Sequence, residues 1–166
     1  MKRGAVAAAA LMLGACGTAP PPEASQSGDA FDPIAFFTGA THGEATLDQI
    51  FKESRRVAVD SVGRPTKGGL LLTQKIMVAG EKPRERRWLL QRAGKGRYAG
   101  ALTDANGPVE TQAVGRAIRI RYPMKGGLKV EQWLVELPGG RALDNRLTVT
   151  KWGMRVATLR ERIDKR

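Results

Sequence analysis

Cysteine and histidine each occur once among the 166 residues of this chain, at Cys16 and His42. A single cysteine cannot form an intramolecular disulfide, and one cysteine with one histidine cannot complete a Cys/His zinc site. Ser–His and Cys–His nucleophilic pairs are excluded unless His42 itself serves, and the sequence contains no G-x-S-x-G, H-E-x-x-H or Walker A motif. We therefore expect no catalytic residue, no metal site and no cofactor, and we predict that the protein is not an enzyme.

Scattered carboxylates leave one catalytic alternative open. They belong to several different predicted strands and turns: Asp48, Glu53, Asp60, Asp104, Glu131 and Asp144. Nothing in the sequence brings two of them to the separation that glycoside hydrolysis requires. Most are explained as turn residues or as partners of the excess arginine, so a hydrolase is only the third hypothesis.

Apolar runs long enough to span a membrane are also missing. The stretch from Gly4 to Gly14 is much shorter than the roughly 20 residues that a transmembrane helix needs. It follows Lys2 and Arg3, and therefore has the proportions of a secretory signal peptide. It ends in Leu13-Gly14-Ala15-Cys16, which is the pattern of a bacterial lipobox. We predict that residues 1–15 are a lipoprotein signal peptide and that Cys16 is lipidated.

The predicted lipidation makes the membrane, reached through an N-terminal lipid anchor, the first expected partner. Stable anchoring needs at least two acyl chains or signals, and a bacterial lipoprotein carries two or three chains on its cysteine. Gly17 stands where an aspartate would mark inner-membrane retention in enteric-type bacteria. We expect an outer-membrane protein that faces the periplasm, with the inner membrane as the alternative. Residues 16–30 are rich in proline and small polar residues, and we predict a flexible linker there.

From Phe31 onward, apolar and polar residues alternate in short runs bounded by Gly, Pro, Asn or Asp. Such period-2 patterns predict half-buried strands, and the absence of helical crossovers predicts an antiparallel arrangement. We predict an all-β domain over residues 31–166, an up-and-down meander of eight to ten strands that closes into a barrel or forms a strongly curved sheet. Residues 47–56 also fit a helical face, and residues 152–166 fit either a last strand or a short helix.

Four aromatic residues in or beside these predicted strands are candidates for a ligand pocket: Trp88, Tyr98, Trp133 and Trp152. If the barrel is hollow, they line a pocket of the apolar and aromatic kind that small ligands prefer. The alternative is that they pack in the core or at its rim.

Basic residues outnumber acidic ones by 28 to 16, which gives a formal net charge of +12. Arg119 and Arg121 alternate with Ile118 and Ile120 on a predicted strand, and therefore face outward. This basic surface is either simply solvated or contacts anionic lipid, which attracts each nearby Lys or Arg by about 1 kcal/mol. We expect no nucleic acid partner, because the chain is exported and its aromatic residues do not interleave with the basic runs.

Short motifs along the domain resemble bacterial lipoproteins of the family called domain of unknown function 3833. They are Phe31-Asp32-Pro33, Phe36-Phe37-x-Gly39, Gly43 to Asp48, Arg87-Trp88, Tyr98-x-Gly100 with Asp104 and Gly107, Gly115-x-Ala117, Tyr122-Pro123, Trp133, Asn145-Arg146 and Lys151-Trp152-Gly153. The resemblance covers roughly residues 31–163. It implies a lipid-anchored domain with a lipocalin-like fold, and it implies no established activity.

Two positions depart from that family pattern. The family usually has asparagine where Arg116 stands, and an acidic pair where Glu131 and Gln132 stand. If these positions line a site, this chain differs from its relatives in what it binds. We hypothesise a membrane-anchored, periplasm-facing lipoprotein that binds a lipid or another small apolar ligand. The alternative is a structural or interaction module of the envelope that docks partners or anionic lipid through its basic surface.

Overall fold

The computed structural model describes residues 31–166, in which the alternating runs form ten strands and one short helix. These elements are α1 Pro33–Phe37, β1 Gly39–Gln49, β2 Arg55–Thr66, β3 Gly69–Val78, β4 Arg84–Arg92, β5 Arg97–Leu102, β6 Glu110–Val114, β7 Ala117–Met124, β8 Leu128–Glu136, β9 Ala142–Lys151 and β10 Met154–Lys165. In β3, Leu72, Gln74 and Ile76 are buried while Lys75 is exposed. Alternation therefore turns one face of each strand towards an interior.

Every strand pairs antiparallel with the next in sequence, and β1 pairs with β10 to close a barrel. Closure removes exposed sheet edges, which explains why a meander of this length does not remain an open sheet. The predicted all-β, up-and-down barrel is confirmed. The ambiguous residues 47–56 form the end of β1, a turn and the start of β2, and residues 152–166 form a turn and the last strand.

Helix α1 covers one end of the barrel, which we call the closed end. Asp32 caps the helix, because its Oδ1 accepts a hydrogen bond from the Ile34 N–H at 3.0 Å. The two phenylalanines of α1 and Phe31 before it belong to the main core, together with Leu70, Leu90 and Ile118. No helix within residues 31–166 is long and apolar enough to cross a membrane.

Two basic side chains hold α1 in place. The Lys165 Nζ at the end of β10 donates hydrogen bonds to the carbonyl oxygens of Ala35 and Phe36 at 2.9 and 3.1 Å. Arg92 at the end of β4 pairs with Asp32 at 2.5 Å. The helix is therefore tied to strands on two sides of the barrel.

The opposite end, which we call the open end, carries the β1–β2 and β9–β10 turns and has no covering helix in the described residues. Inward-facing apolar side chains near it, such as Leu47, Val149 and Leu159, remain partly exposed. The barrel interior therefore meets solvent at this end.

Candidate functional site

A polar belt crosses the otherwise apolar interior of the barrel. It consists of six inward-facing residues on six strands: Ser61, Gln74, Arg86, Gln132, Asn145 and Glu161. Apolar side chains fill the interior between the belt and α1. Because buried polar groups cost free energy unless they are hydrogen-bonded, each member of the belt needs a partner.

The first half of the belt joins β2, β3 and β4. The Gln74 Nε2 donates to the Ser61 Oγ at 3.1 Å, and the Arg86 Nε donates to the Gln74 Oε1 at 2.9 Å. Sheet register brings these side chains together, since Ser61 lies opposite Gln74 and Gln74 lies opposite Arg86. The bonds leave the remaining guanidinium nitrogens of Arg86 for other partners.

The second half joins β8, β9 and β10. The Gln132 Nε2 donates to the Asn145 Oδ1 at 3.0 Å, and the Asn145 Nδ2 donates to the Glu161 Oε2 at 2.6 Å. Gly43 on β1 makes room for the carboxyl group, because a Cβ at that position would lie 2.0 Å from the Glu161 Oε1. A glycine is therefore needed at this close approach.

The belt contains two ionisable side chains, Arg86 and Glu161, and their surroundings differ. Burial raises the pKa of the Glu161 carboxyl, and the Asn145 hydrogen bond opposes this shift. Across residues 31–166, Glu161 forms no ion pair. The Arg86 Nη1 lies 3.9 Å from Asp104, whose carboxylate also accepts the closer Arg84 Nη1 at 2.9 Å. One carboxylate thus serves two guanidinium groups, while the second acid is shifted towards its neutral form.

The belt surrounds a small cavity, which five of its members line together with Trp88, Tyr122 and several aliphatic side chains. About 20 Å³ is open to the centres of water molecules, which is room for about one or two waters. The Trp88 Nε1 is buried without a protein partner. The cavity therefore suits a small polar group and is too small for a whole lipid.

The structure places the four predicted pocket residues in different environments. Trp88 lies on the wall of the belt cavity. Tyr98 is buried in the interior but lines a separate open groove, where β5 and β6 pair only through two residues each. Trp133 and Trp152 do not line this cavity, and their assignment as pocket walls stays a prediction.

Trp133 is buried on the outer face of β8, where it belongs to a small apolar cluster and also contacts charged side chains. The Arg119 guanidinium lies 5.5 Å from its ring centre, and the Trp133 Nε1 donates to the Glu131 Oε1 at 3.1 Å. The methylene groups and the planar head of an arginine shield such a ring from water. Trp152 lies in the β9–β10 turn and is largely exposed.

The predicted basic contact residues lie on the outer face of β7, and each is paired with an acid. The Arg119 Nη2 donates to Glu131 at 2.9 Å, and the Arg121 Nη2 donates to Glu110 at 2.6 Å. These pairs reduce the charge that the two arginines present to an anionic surface. Of the departures from the family pattern, Gln132 lines the cavity, while Arg116 pairs with Glu136 outside it.

Other predicted features lie away from the belt or outside the described residues. The signal peptide, Cys16 and the linker fall within residues 1–30, which the structure does not describe. On the outer face, His42 bonds Asp60 at 2.7 Å and Glu44 at 3.0 Å, and these bonds raise the pKa of His42. The described part of the chain holds no group of three or more side chains arranged to bind a metal ion.

Sequence reasoning missed the belt, although four of its members leave a signal. Gln74, Gln132, Asn145 and Glu161 each have apolar residues two positions before and two positions after. A polar residue that interrupts the apolar parity of a strand is predicted to point into the core. Arg86 and Ser61 have an apolar side chain on only one such side, and nothing local marks them.

Comparison with known proteins gives one family and several structures. The model of the family described as "Protein of unknown function (DUF3833)" matches residues 10–165. No curated protein sequence matches the chain.

The structural neighbours are barrel proteins of low sequence identity. The S-type phycobiliprotein lyase CPES from Guillardia theta has a TM-score of 0.63 and 6% identity, over 80% of this chain and 90% of that chain. A protein of unknown function from the DUF3598 family of Nostoc punctiforme also has a TM-score of 0.63, with 12% identity over 88% of this chain and 52% of that chain. Rv2717c from M. tuberculosis has a TM-score of 0.50 and 14% identity, over 82% and 99%. Likeness at these identities concerns the fold alone.

Proposed function

The chain belongs to the DUF3833 family of proteins of unknown function, and from that premise we propose that its barrel binds an amphipathic ligand with an anionic head group. The observation that supports this most is the polar belt, with its cavity and its unpartnered Trp88 Nε1. A barrel interior that served stability alone would be better filled with apolar side chains, since partly satisfied polar groups are destabilising. The proposed activity is binding rather than catalysis.

The charge of the cavity favours an anion. Arg84 and Arg86 share the single carboxylate of Asp104, and Glu161 has a raised pKa. The Asp104 carboxylate therefore neutralises Arg86 only in part, and guanidinium groups bind carboxylates through short, charge-assisted hydrogen bonds. A carboxylate head would occupy the cavity, with Arg86 as its ion partner.

The apolar part of the ligand belongs at the open end. The cavity is too small to enclose a chain, whereas the inward-facing Leu47, Val149 and Leu159 near the open end are partly exposed. An acyl chain laid against these side chains would remove apolar surface from water, at about 25 cal/mol per Å². The closed end offers no comparable route, because α1 covers it.

We expect a long-chain fatty acid to bind more tightly than the fatty alcohol of the same length. Replacement of Arg86 by methionine should weaken fatty acid binding by roughly 10–100-fold, because a charge-assisted hydrogen bond is lost. Binding of the alcohol should change little. Isothermal titration calorimetry on the purified protein measures both affinities, and circular dichroism verifies that the variant is folded.

Arg87→Met is the matched control, since Arg87 is the next residue of β4, faces outward and pairs with Glu85 at 2.8 Å. It should bind the fatty acid as the unaltered chain does. Equal affinities for acid and alcohol, or an Arg86→Met affinity equal to that of Arg87→Met, would show that the belt does not select an anionic head.

We further propose that the protein is lipid-anchored through Cys16 and faces the periplasm from the outer membrane. The lipobox and the linker support this proposal. Cys16→Ser should release the chain from cell membranes into the soluble fraction after an alkaline wash, which also removes proteins held by surface contacts alone. Thr18→Ser should stay with the membranes. Persistence of the Cys16→Ser chain in washed membranes would contradict lipidation.

A further inference from the structure

Four large apolar side chains at the open end are exposed on two neighbouring turns, and together we call them the apolar tip. The exposed fractions are 51% for Ile50, 101% for Phe51, 81% for Trp152 and 61% for Met154. The Ile50 N–H donates to the Val156 carbonyl oxygen at 3.1 Å, which ties the β1–β2 turn to the strand that follows the β9–β10 turn. The four residues therefore belong to one surface rather than to separate loops.

Both aromatic residues of the tip have a left-handed backbone conformation, which glycine and asparagine adopt more easily than aromatic residues do. Phe51 has φ 60° and Trp152 has φ 50°, and they are the only non-glycine residues with positive φ within residues 31–166. With Gly153 at φ 80°, Trp152 begins a two-residue hairpin turn in which Asn-Gly is strongly preferred. Phe51 occupies the third position of a turn closed by the Lys52 N–H and the Gln49 carbonyl oxygen, where glycine or asparagine is usual.

Cations surround the tip. The Lys151 Nζ lies 4.6 Å from the centre of the Trp152 ring. Three basic residues beside the tip form no ion pair within residues 31–166: Lys52, Lys151 and Arg155. The exposed acid nearest to the tip in sequence is Glu53. Exposed aromatic side chains with neighbouring lysine and arginine are typical of segments that lie at the interface of an anionic bilayer.

We propose that the apolar tip inserts into the interfacial region of a lipid bilayer that contains anionic lipid. Phe51, Trp152, Ile50 and Met154 enter among the head groups, and Lys52, Lys151 and Arg155 pair with lipid phosphates around them. This contact uses neither the lipid anchor nor the polar belt, so it stands whether or not the barrel binds a ligand. It also differs from the surface around Arg119 and Arg121, whose charges are paired.

Trp152 serves as an intrinsic fluorescence probe of the tip. The other two tryptophans, Trp88 and Trp133, are only 7% and 5% exposed, so lipid at the surface should change their emission little. The full chain is mixed with phosphatidylcholine vesicles containing about 30% phosphatidylglycerol, with bromine atoms on the acyl chains as contact quenchers. We expect the Trp152 emission to shift to the blue and to be strongly quenched. Without phosphatidylglycerol, both effects should weaken.

A second probe position distinguishes insertion at the tip from general proximity to the membrane. In a Trp152→Phe background, Val62→Trp places the probe on an exposed site of the outer wall near the closed end. This probe should not be quenched, although the chain carries the same N-terminal segment. Equal quenching at both positions, or none at Trp152, would overturn the proposal.

Two further variants test whether insertion depends on the Trp152 side chain rather than on fold stability, and whether its lipid preference depends on the basic residues. Trp152→Asn suits the turn better than tryptophan, so the variant should keep or raise its Tm while the chain loses most of its anchor-independent vesicle binding. Lys151→Gln combined with Arg155→Gln should remove the preference for phosphatidylglycerol. The matched pair Lys67→Gln with Arg141→Gln, in turns at the closed end, should not.

A protein partner at the tip is the competing outcome. If Trp152→Asn dissolves a dimer in sedimentation experiments, or leaves vesicle binding unchanged, the tip is not a bilayer contact.

Discussion

Replacement of Gly63 by alanine should destabilise the domain by roughly 2–4 kcal/mol, the sum of overpacking and of lost aromatic burial. A Cβ at this position of β2 would lie 1.8 Å from the Phe37 carbonyl oxygen and 2.8 Å from its carbonyl carbon. These are backbone atoms of α1, which cannot move aside as the end of a flexible side chain can. The helix must therefore lift from the barrel and expose Phe36 and Phe37, which are buried now.

Chemical denaturation measures this loss, and amide hydrogen exchange locates it. Thr38, whose N–H bonds the Ile34 carbonyl oxygen, should exchange faster in the variant. Val62→Ala is the matched control, because the neighbouring side chain points outward and is 48% exposed, so its effect should stay within about 0.5 kcal/mol. A Gly63→Ala chain as stable as Val62→Ala would mean that α1 does not rest on β2.

Replacement of Glu161 by glutamine should stabilise the domain at neutral and alkaline pH, by roughly 1–3 kcal/mol. Burial raises the pKa of Glu161 in the folded protein above its ordinary value of 4.5. Between these two pKa values the folded protein keeps a proton that the unfolded chain releases, so the stability of the unaltered protein falls as pH rises. The amide carries no charge and escapes this loss, while its oxygen still accepts the Asn145 hydrogen bond.

Denaturation curves taken from pH 4 to 8 provide the measurement. The advantage of the variant should shrink as pH falls from the raised pKa of Glu161 towards 4.5, and little should remain below pH 4.5, where the carboxyl is protonated in both states. Glu53→Gln, at an exposed acid in the β1–β2 turn, should follow the unaltered protein throughout. A Glu161→Gln chain that is less stable at every pH would show that the carboxylate has a favourable role in the folded core.

The same exchange bears on the proposed ligand. An ionised Glu161 repels a carboxylate head in the cavity, so fatty acid affinity of the unaltered protein should fall as pH rises through the raised pKa of Glu161. In Glu161→Gln this dependence should disappear, whereas Arg86→Met should lower the affinity at every pH. The pH dependence of stability and that of fatty acid affinity thus test the ionisation of Glu161 independently.

Much of the fold follows from local pattern. Strand β3 is evident from the shared parity of Leu70, Leu72, Ile76 and Val78, since strand periodicity places those side chains on one face. Glycine-rich turns at regular intervals, with no crossover helix, then leave a meander as the arrangement. Residues 47–56 stayed ambiguous because a tight turn between two strands repeats apolar residues at a spacing that also suits a helix.

Local pattern was least informative about aromatic residues. Trp133 is buried on the outer face of its strand, where it packs with Ala117 and contacts Arg119. Both neighbours belong to β7, and they reach Trp133 through a sheet register that the sequence does not state. Trp152 is exposed because the turn of β9 into β10 contains it, one residue beyond the strand. An aromatic residue near a strand thus identifies no face by itself.

The amino-acid sequence by itself determined that the domain is a β meander and which side chains alternate between interior and solvent. Successive side chains of a strand point to opposite faces, and apolar side chains favour the face that is removed from water. Only the tertiary structure decided that β1 closes on β10, that Gly43 faces Glu161, and that Gln74 and Glu161 line one cavity. It likewise joined the exposed turns of Phe51 and Trp152 into one surface. These contacts depend on closure of the barrel and on the register between strands that are distant in sequence, and no local periodicity encodes either.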